Sequence, residues 1–293
     1  MITLDPEFGQ MLGKIVTDVP GPRSHEMASD LATFEMPTSN IVGKGEIPIG
    51  WRAARGSNVM DVDGNIYVDM WAASSVAAVG HSNPEVAAAI GAQAGVLMHT
   101  LGALNPCEAR VDLLKKLAMV CPGDLSVAHI MNTGAEAVEG AYKTARIYTK
   151  KPGFLAFEGG FHGKLGGALT LTSKNYYRQD FQPLMPEVYH YPYAYCYRCP
   201  YEKEYPACDI FCARYVEQRL DNPDSGLPKF AGLIVEPVIG HGGWIVPPAE
   251  FLSELRRITA ERGILLVVDE IITGFGRTGK WFACEWSNVV PDI

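Results

Sequence analysis

ILLVVDEIITGFGRTG, residues 264–279, decides the fold class. Its first five residues, Ile264 to Val268, are apolar and largely branched, which suits a strand buried on both faces. The strand ends on two carboxylates, Asp269 and Glu270, and then on a glycine-rich loop. In open α/β sheets, ligands bind beyond the carboxyl ends of the strands. A carboxylate buried there requires a cation or a dense set of donors. A protonated heterocyclic nitrogen on a cofactor meets that requirement. The plainer alternative is that Asp269 caps the next turn.

The preceding sequence supplies the rhythm into which this strand fits. Pro248 to Arg262 reads as an amphipathic helix, with Phe251, Leu252, Leu255 and Ile258 inward and Gly263 as its stop. Leu233 to Val235 is a strand ending at Glu236. Phe154 to Phe157 and Ala168 to Thr172 are strand candidates, Thr133 to Thr149 is a helix, and Val127 to Met131 is a short strand. Strand and helix in alternation predict a mostly parallel sheet. Upstream, Asn83-Pro84 starts an Ala-rich helix reaching about Leu97, and Asn105-Pro106-Cys107-Glu108 repeats that start. Val59 to Asp69 alternates about Asp63-Gly64, the signal of a hairpin with a two-residue turn. Residues 1–45 carry Pro20, Gly21, Pro22 and Pro37 with little periodicity, and read as an extended arm.

Composition narrows the function classes. A formal charge of -8 over 293 residues argues against nucleic acid or an anionic membrane as the main partner. No apolar run is long enough to span a bilayer, and Met1 to Gly13 lacks the pattern of a secretory signal. The expected compartment is the cytoplasm. The seven cysteines are then expected as thiols or metal ligands rather than disulfides.

Several stretches carry chemistry. Asn132-Thr133-Gly134-Ala135-Glu136 joins a strand to a helix with capping-box spacing at Thr133 and Glu136. Free N–H groups in that first turn favour an anion such as phosphate; an ordinary capped helix is the plain alternative. Neither a Walker P-loop nor a GxGxxG fingerprint is present. Gly159-Gly160-Phe161-His162-Gly163 leaves room for a flat ring on Phe161, or else is a turn with a core phenylalanine. Glu236-Pro237-Val238 ends a strand on a second carboxylate, followed by the flexible GHGG loop of residues 240–243. Two acidic strand ends close together call for a cationic group or an arginine between them. Within a Tyr-, Pro- and Cys-rich insertion, residues 189–228, lie Cys196, Cys199, Cys208 and Cys212. Four thiolates can close a tetrahedral zinc site; the short spacer between Cys199 and Cys208 favours packed reduced thiols.

Together these stretches resemble the class III aminotransferases, pyridoxal-phosphate enzymes with the aspartate aminotransferase fold (fold type I). The resemblance runs from about Pro48 to Ile293 through DxxGNxYxDM with GHSNPEV, NTGAEAVE, GGFHGK, VEPVIGHGG and VVDEIITGFGRTG, in the family's order. It implies an α/β fold in which residues 1–58 form an N-terminal arm and part of a small domain, and residues 59–293 form the cofactor-binding large domain. It implies that Gly134 and Ala135 hold the cofactor phosphate and that Phe161 stacks on one pyridine face with His162 beside it. Asp269 would pair with the ring nitrogen and Ile271 would pack on the other face. Glu236 would sit at the substrate end, where the family often pairs it with an arginine. Ser74 and Ser75 would line the substrate approach.

The family's Schiff-base lysine is expected on a strand beginning at Pro291-Asp292-Ile293, roughly five residues past Ile293. Lys280 in the GRTGK turn falls too early. The last two strands of the family's large domain, which lie between the first and the fifth, would follow residue 293 as well, leaving a gap in the sheet. The expectation is therefore a truncated product or one half of a split enzyme, with a second chain supplying the lysine. The implied reaction moves an amino group from an amino acid or ω-amine to a 2-oxo acid through pyridoxal 5'-phosphate. The implied assembly is a dimer-based homo-oligomer or a complex with a C-terminal fragment. An amino-acid racemase or aminomutase of the same family, an inactive chain or assembly subunit, and a metal-binding interaction module are the alternatives.

Overall fold

The fold is that of a computed structural model, which describes residues 4, 5, 7–37 and 40–293. The chain forms two compact units, Met1–Asn105 and Pro106–Ile293.

The first unit is built on an antiparallel sheet of β1 (Trp51–Arg55), β2 (Asn58–Asp61) and β3 (Ile66–Val68), in that order. The β2–β3 hairpin forms, but with a longer connection than the two-residue turn expected. Met60 pairs with Ile66, and the Asp61 amide reaches the Asn65 carbonyl at 2.9 Å. The buried Asp61 carboxylate accepts the amides of Asp63 and Asn65 at 2.9 and 2.8 Å, and this side-chain turn fixes the loop.

Residues 1–45 are not simply an extended arm, because they contain helix α1 (Pro22–Phe34). Its cap comes from the hairpin loop: the Asp63 carboxylate accepts Arg23 N at 2.8 Å and Ser24 N at 3.1 Å. A start signal supplied some forty residues away leaves no local trace in the sequence. The unit closes with α2 (Ala72–Ser75), a single turn whose four φ values, 52°, 49°, 63° and 71°, are all left-handed, and α3 (Pro84–Val96). Asn83 caps α3 as expected, accepting the Glu85 and Val86 amides.

The second unit opens with α4 (Glu108–Val120). Its N-cap is Cys107, without a side-chain bond, so the asparagine-capped start expected at Asn105 is not the one used. Val127 to Met131, expected as a strand, is extended but unpaired, with Val127 95% exposed. A strand exists only through pairing, and no neighbouring edge among the described residues meets this segment.

Then α5 (Gly134–Thr149) leads to β4 (Gly153–Phe157), α6 (Gly166–Leu171), α7 (Asn175–Arg178), β5 (Val188–Tyr191), α8 (Phe211–Asp221), β6 (Phe230–Val235), α9 (Ala249–Glu261) and β7 (Leu265–Val268). Residues 168–171 are thus helix rather than strand, and Thr172 is the extended cap of α6. The reason is local: Glu139 on α5 accepts the amides of Gly167 and Ala168 and so caps the start of α6.

The four strands run parallel in the order β5-β4-β6-β7. Both faces of the sheet are covered, which is why its strands read as continuous apolar runs. Leu155, Phe157, Leu233, Val235 and Leu266 pack with Phe251, Leu255 and Ile258 of α9 on one side. Phe154, Ala156, Ala231, Ile234 and Val267 pack with Val138, Tyr142 and Ala145 of α5 on the other. Ile293 lies on the outer edge of β7: Val268 N reaches its carbonyl at 3.0 Å and its own amide reaches Leu266 O at 3.2 Å. That is a parallel ladder step, in the place expected for the next strand.

Candidate functional site

Three carboxyl-terminal strand ends and one helix start converge in the second unit. β7 delivers Asp269, β6 delivers Glu236, β4 runs into the loop Gly159–Gly163, and α5 begins at Gly134. This is the crest of a parallel sheet, where ligand sites form.

Asp269 is 8% exposed and His162 2% exposed. His162 Nδ1 lies 2.7 Å from Asp269 Oδ2, while the Ile271 amide donates to Oδ1 at 3.1 Å. His162 is itself held: its amide donates to Thr172 Oγ1 at 2.8 Å, and that hydroxyl donates to Gly163 O at 2.9 Å. Gly163 has φ +119°, and a Cβ there would stand 2.6 Å from the Cβ of Ala135. Only glycine lets this loop close onto the start of α5. His162 is thus the side-chain partner of Asp269, and it is also one of the groups acting on Glu236.

Glu236 is buried, 5% exposed. Its Oε1 accepts the Phe161 amide at 2.8 Å and its Oε2 accepts the Gly240 amide at 3.0 Å. Burial pushes its carboxyl up, and the Asp269 charge adds to this; the opposing influences are His162 and the two amides. Among the described residues no arginine pairs with it. The arginine partner expected from the resemblance is replaced by two backbone donors, so Glu236 ties two loops together. Tyr193, inside the insertion, supports the same corner by donating to Glu236 O at 3.0 Å.

Thr133 and Glu136 form the expected capping box. It spends Glu136 on the amides of Asn132 and Thr133 and Thr133 Oγ1 on the amide of Glu136. The amides of Gly134 and Ala135 have no partner among the described residues. Two free donors at the start of a 16-residue helix suit a phosphate. A Cβ at Gly134 would stand 2.9 Å from Ile271 Cδ1, so Ile271, 59% exposed, packs against the first turn of α5.

Phe161 presents its ring to His241, with centroids 4.1 Å apart and planes 23° apart, and its edge contact is Tyr177 at 5.2 Å. His241, Thr172 and Tyr193 were not among the expected site residues. The glycines around His241 were its one sequence signal; Thr172 and Tyr193 act through contacts that only the fold creates. Ser74 and Ser75 lie in the first unit, on the left-handed turn α2.

The donor set fits pyridoxal phosphate: free helix-start amides for the phosphate, an aromatic face for the ring and a buried carboxylate for its nitrogen. The four insertion cysteines behave differently. Cys196, Cys199, Cys208 and Cys212 are free and line one cavity of about 20 Å³ with Tyr201 and Phe211. Burial pushes the Cys196 thiol up and the Cys212 thiol up to about 11. Among the described residues no group of three or more His, Cys, Asp or Glu is arranged to hold a metal. Among the described residues, no helix is long and apolar enough to cross a membrane.

Residues 41–293 match the family model described as Aminotransferase class-III. The chain is 35% identical to the 4-aminobutyrate aminotransferase of Mycobacterium leprae over 282 residues, covering 96% of this chain and 62% of that protein. It is 34% identical to the alanine/serine racemase of Pyrococcus horikoshii, covering 96% and 60%. Its fold matches the crystal structure of a thermostable (S)-enantioselective omega-transaminase from Thermomicrobium roseum with a TM-score of 0.81 and 30% identity, over 92% of this chain and 61% of that one. The chain therefore spans about three fifths of the length of these relatives.

Proposed function

The chain belongs to the class III aminotransferases, and we propose on that premise that its crest site binds pyridoxal 5'-phosphate for transfer of an amino group from an amino acid or ω-amine to a 2-oxo acid. The observation that carries this reading is the Asp269 carboxylate, buried at a strand end and still offering a lone pair on each oxygen. Bound there, the cofactor supplies an electron sink. The chain's own residues do the rest. Asp269 keeps a proton on the ring nitrogen. The amides of Gly134 and Ala135 bind the phosphate. Phe161 shields one ring face from water and Ile271 covers the other. His162 fixes the orientation of the Asp269 carboxylate. Glu236 holds the Phe161 backbone in place and sits at the substrate end.

Turnover, donor and acceptor are proposed for the protein at the full length its relatives have. A dimer-based assembly is part of the same proposal, supported by the exposed apolar residues Val86, Ile90 and Val96 of α3. The test of cofactor binding is a titration of the chain with pyridoxal 5'-phosphate followed by absorbance. Saturable binding abolished by added inorganic phosphate supports the site; no binding at millimolar cofactor refutes it.

A racemase reading rests on the similarity to the Pyrococcus horikoshii racemase. Chiral analysis of a single amino acid incubated without a 2-oxo acid separates the two: racemisation favours the second reading, inertness the first. Zinc at Cys196, Cys199, Cys208 and Cys212 is the weaker reading of the insertion, since the thiols share a cavity but not a ligand geometry. Packed reduced thiols are the other reading.

A further inference from the structure

His241 lies outside every role assigned above, yet it makes the closest ring contact at the site. The loop that carries it is closed by a bridge between Ile239 and Ile245, with N···O distances of 3.1 and 2.9 Å. Two further contacts fix the loop relative to the Phe161 loop. Glu236 binds the amide of Gly240 with one oxygen and that of Phe161 with the other. A Cβ at Gly242 would stand 2.7 Å from Gly159 O, so the two backbones touch. Between those contacts His241 lies nearly parallel to Phe161, with centroids at 4.1 Å. Offset parallel rings at this distance attract.

We infer that His241 is a positioning residue: it sets the plane of Phe161, and through it the surface on which the cofactor ring stacks. The inference rests on the reading of the crest as the cofactor site. Glu236 fixes the backbone under both rings, and His241 fixes the one remaining freedom, rotation of the Phe161 ring. Partial burial and the nearby charges of Lys174 and Lys164 hold the imidazole below the ordinary histidine range, so it stacks as a neutral ring.

The test uses the whole chain with His241→Ala and His241→Phe. Affinity for pyridoxal 5'-phosphate is read by absorbance titration, and the fixing of its ring by the induced circular dichroism of the bound chromophore. His241→Ala is expected to weaken binding roughly two- to tenfold, the worth of one aromatic pair, and to diminish the induced signal. His241→Phe is expected to restore both, which loss of a merely structural contact would not do. A parent that binds while His241→Ala binds equally overturns this inference alone. Tighter binding by His241→Ala also overturns it, because the side chain would then occupy the cofactor's own face. A parent that binds no cofactor overturns the functional reading and this inference with it. A cofactor-free readout stands beside these. The ring protons of His241 are expected upfield in the NMR spectrum and to return on Phe161→Leu; an unshifted resonance in the parent shows that the stack does not exist in solution.

Discussion

Asp269→Asn separates the two tasks of the buried carboxylate. In the fold, Asp269 accepts the Ile271 amide on Oδ1 at 3.1 Å and meets His162 Nδ1 on Oδ2 at 2.7 Å. Asparagine keeps the first bond through its oxygen. Its amide group then faces Nδ1, which becomes an acceptor once the imidazole moves its proton to the other nitrogen. Folding stability is expected to fall by no more than about 1 kcal/mol. The ring nitrogen of the cofactor has no such escape, since it loses a charged partner. A charge-assisted hydrogen bond is worth about 1–3 kcal/mol net, so the dissociation constant should rise about 5- to 150-fold. Absorbance titration gives the affinity and urea unfolding gives the stability of the same preparations. Equal affinity in mutant and parent refutes the pairing of Asp269 with the cofactor. A stability loss well beyond 1 kcal/mol refutes the tautomer argument.

Four further outcomes are expected. Glu236→Gln leaves an amide donor facing either the Phe161 or the Gly240 N–H, so urea unfolding should show a loss of about 1–3 kcal/mol; an unchanged midpoint contradicts the clamp. His190 gives its Nε2 proton to Leu171 O at 2.9 Å, and burial lowers its pKa to about 4. In the unfolded chain the ring takes up a second proton near 6.5, so the stabilisation is complete above about pH 6.5 and is lost as pH falls toward 4, on the order of 3 kcal/mol. Stability profiles of the parent and His190→Gln that run parallel from pH 7 to 4 refute this. X-ray fluorescence should find less than one zinc per chain, and thiol titration after unfolding without reductant should count all seven cysteines; a full equivalent of zinc would restore the metal reading. Thr133→Ala removes the cap of α5 and should cost about 1 kcal/mol by thermal melting, with no loss marking the box as dispensable.

The parts legible in sequence are those whose physics is local. Ile264 to Val268 announced a doubly buried strand, and Leu266 and Val267 do face opposite cores. The Phe251, Leu252, Leu255 and Ile258 stripe is fully buried, and the Thr133–Glu136 box forms as its spacing demands. The misread parts depend on partners distant in the chain. Helix α1 is capped by Asp63, and α6 by Glu139. Val127 to Met131 has strand composition but no paired edge. His241 could not be placed over Phe161 from sequence, because their contact depends on two loops 80 residues apart being tied by one carboxylate.

That tie also resolves what the two acidic strand ends left open. By strand pattern alone, Asp269 and Glu236 are alike: each is a carboxylate at the end of a buried strand. The fold treats them differently. Glu236 directs each oxygen at a backbone amide, and its burial favours the protonated form, so it is poorly placed to balance a ligand's positive charge. Asp269 meets a histidine that can change tautomer and one amide at 3.1 Å, which leaves its charge available to a cation placed against it. Only Asp269 can respond to a protonated ring without breaking the loops that hold the site. The order of effects therefore serves as a fingerprint: Glu236→Gln should cost more in folding than Asp269→Asn, and Asp269→Asn more in cofactor affinity than Glu236→Gln. The reverse order in either measurement would exchange the roles of the two carboxylates.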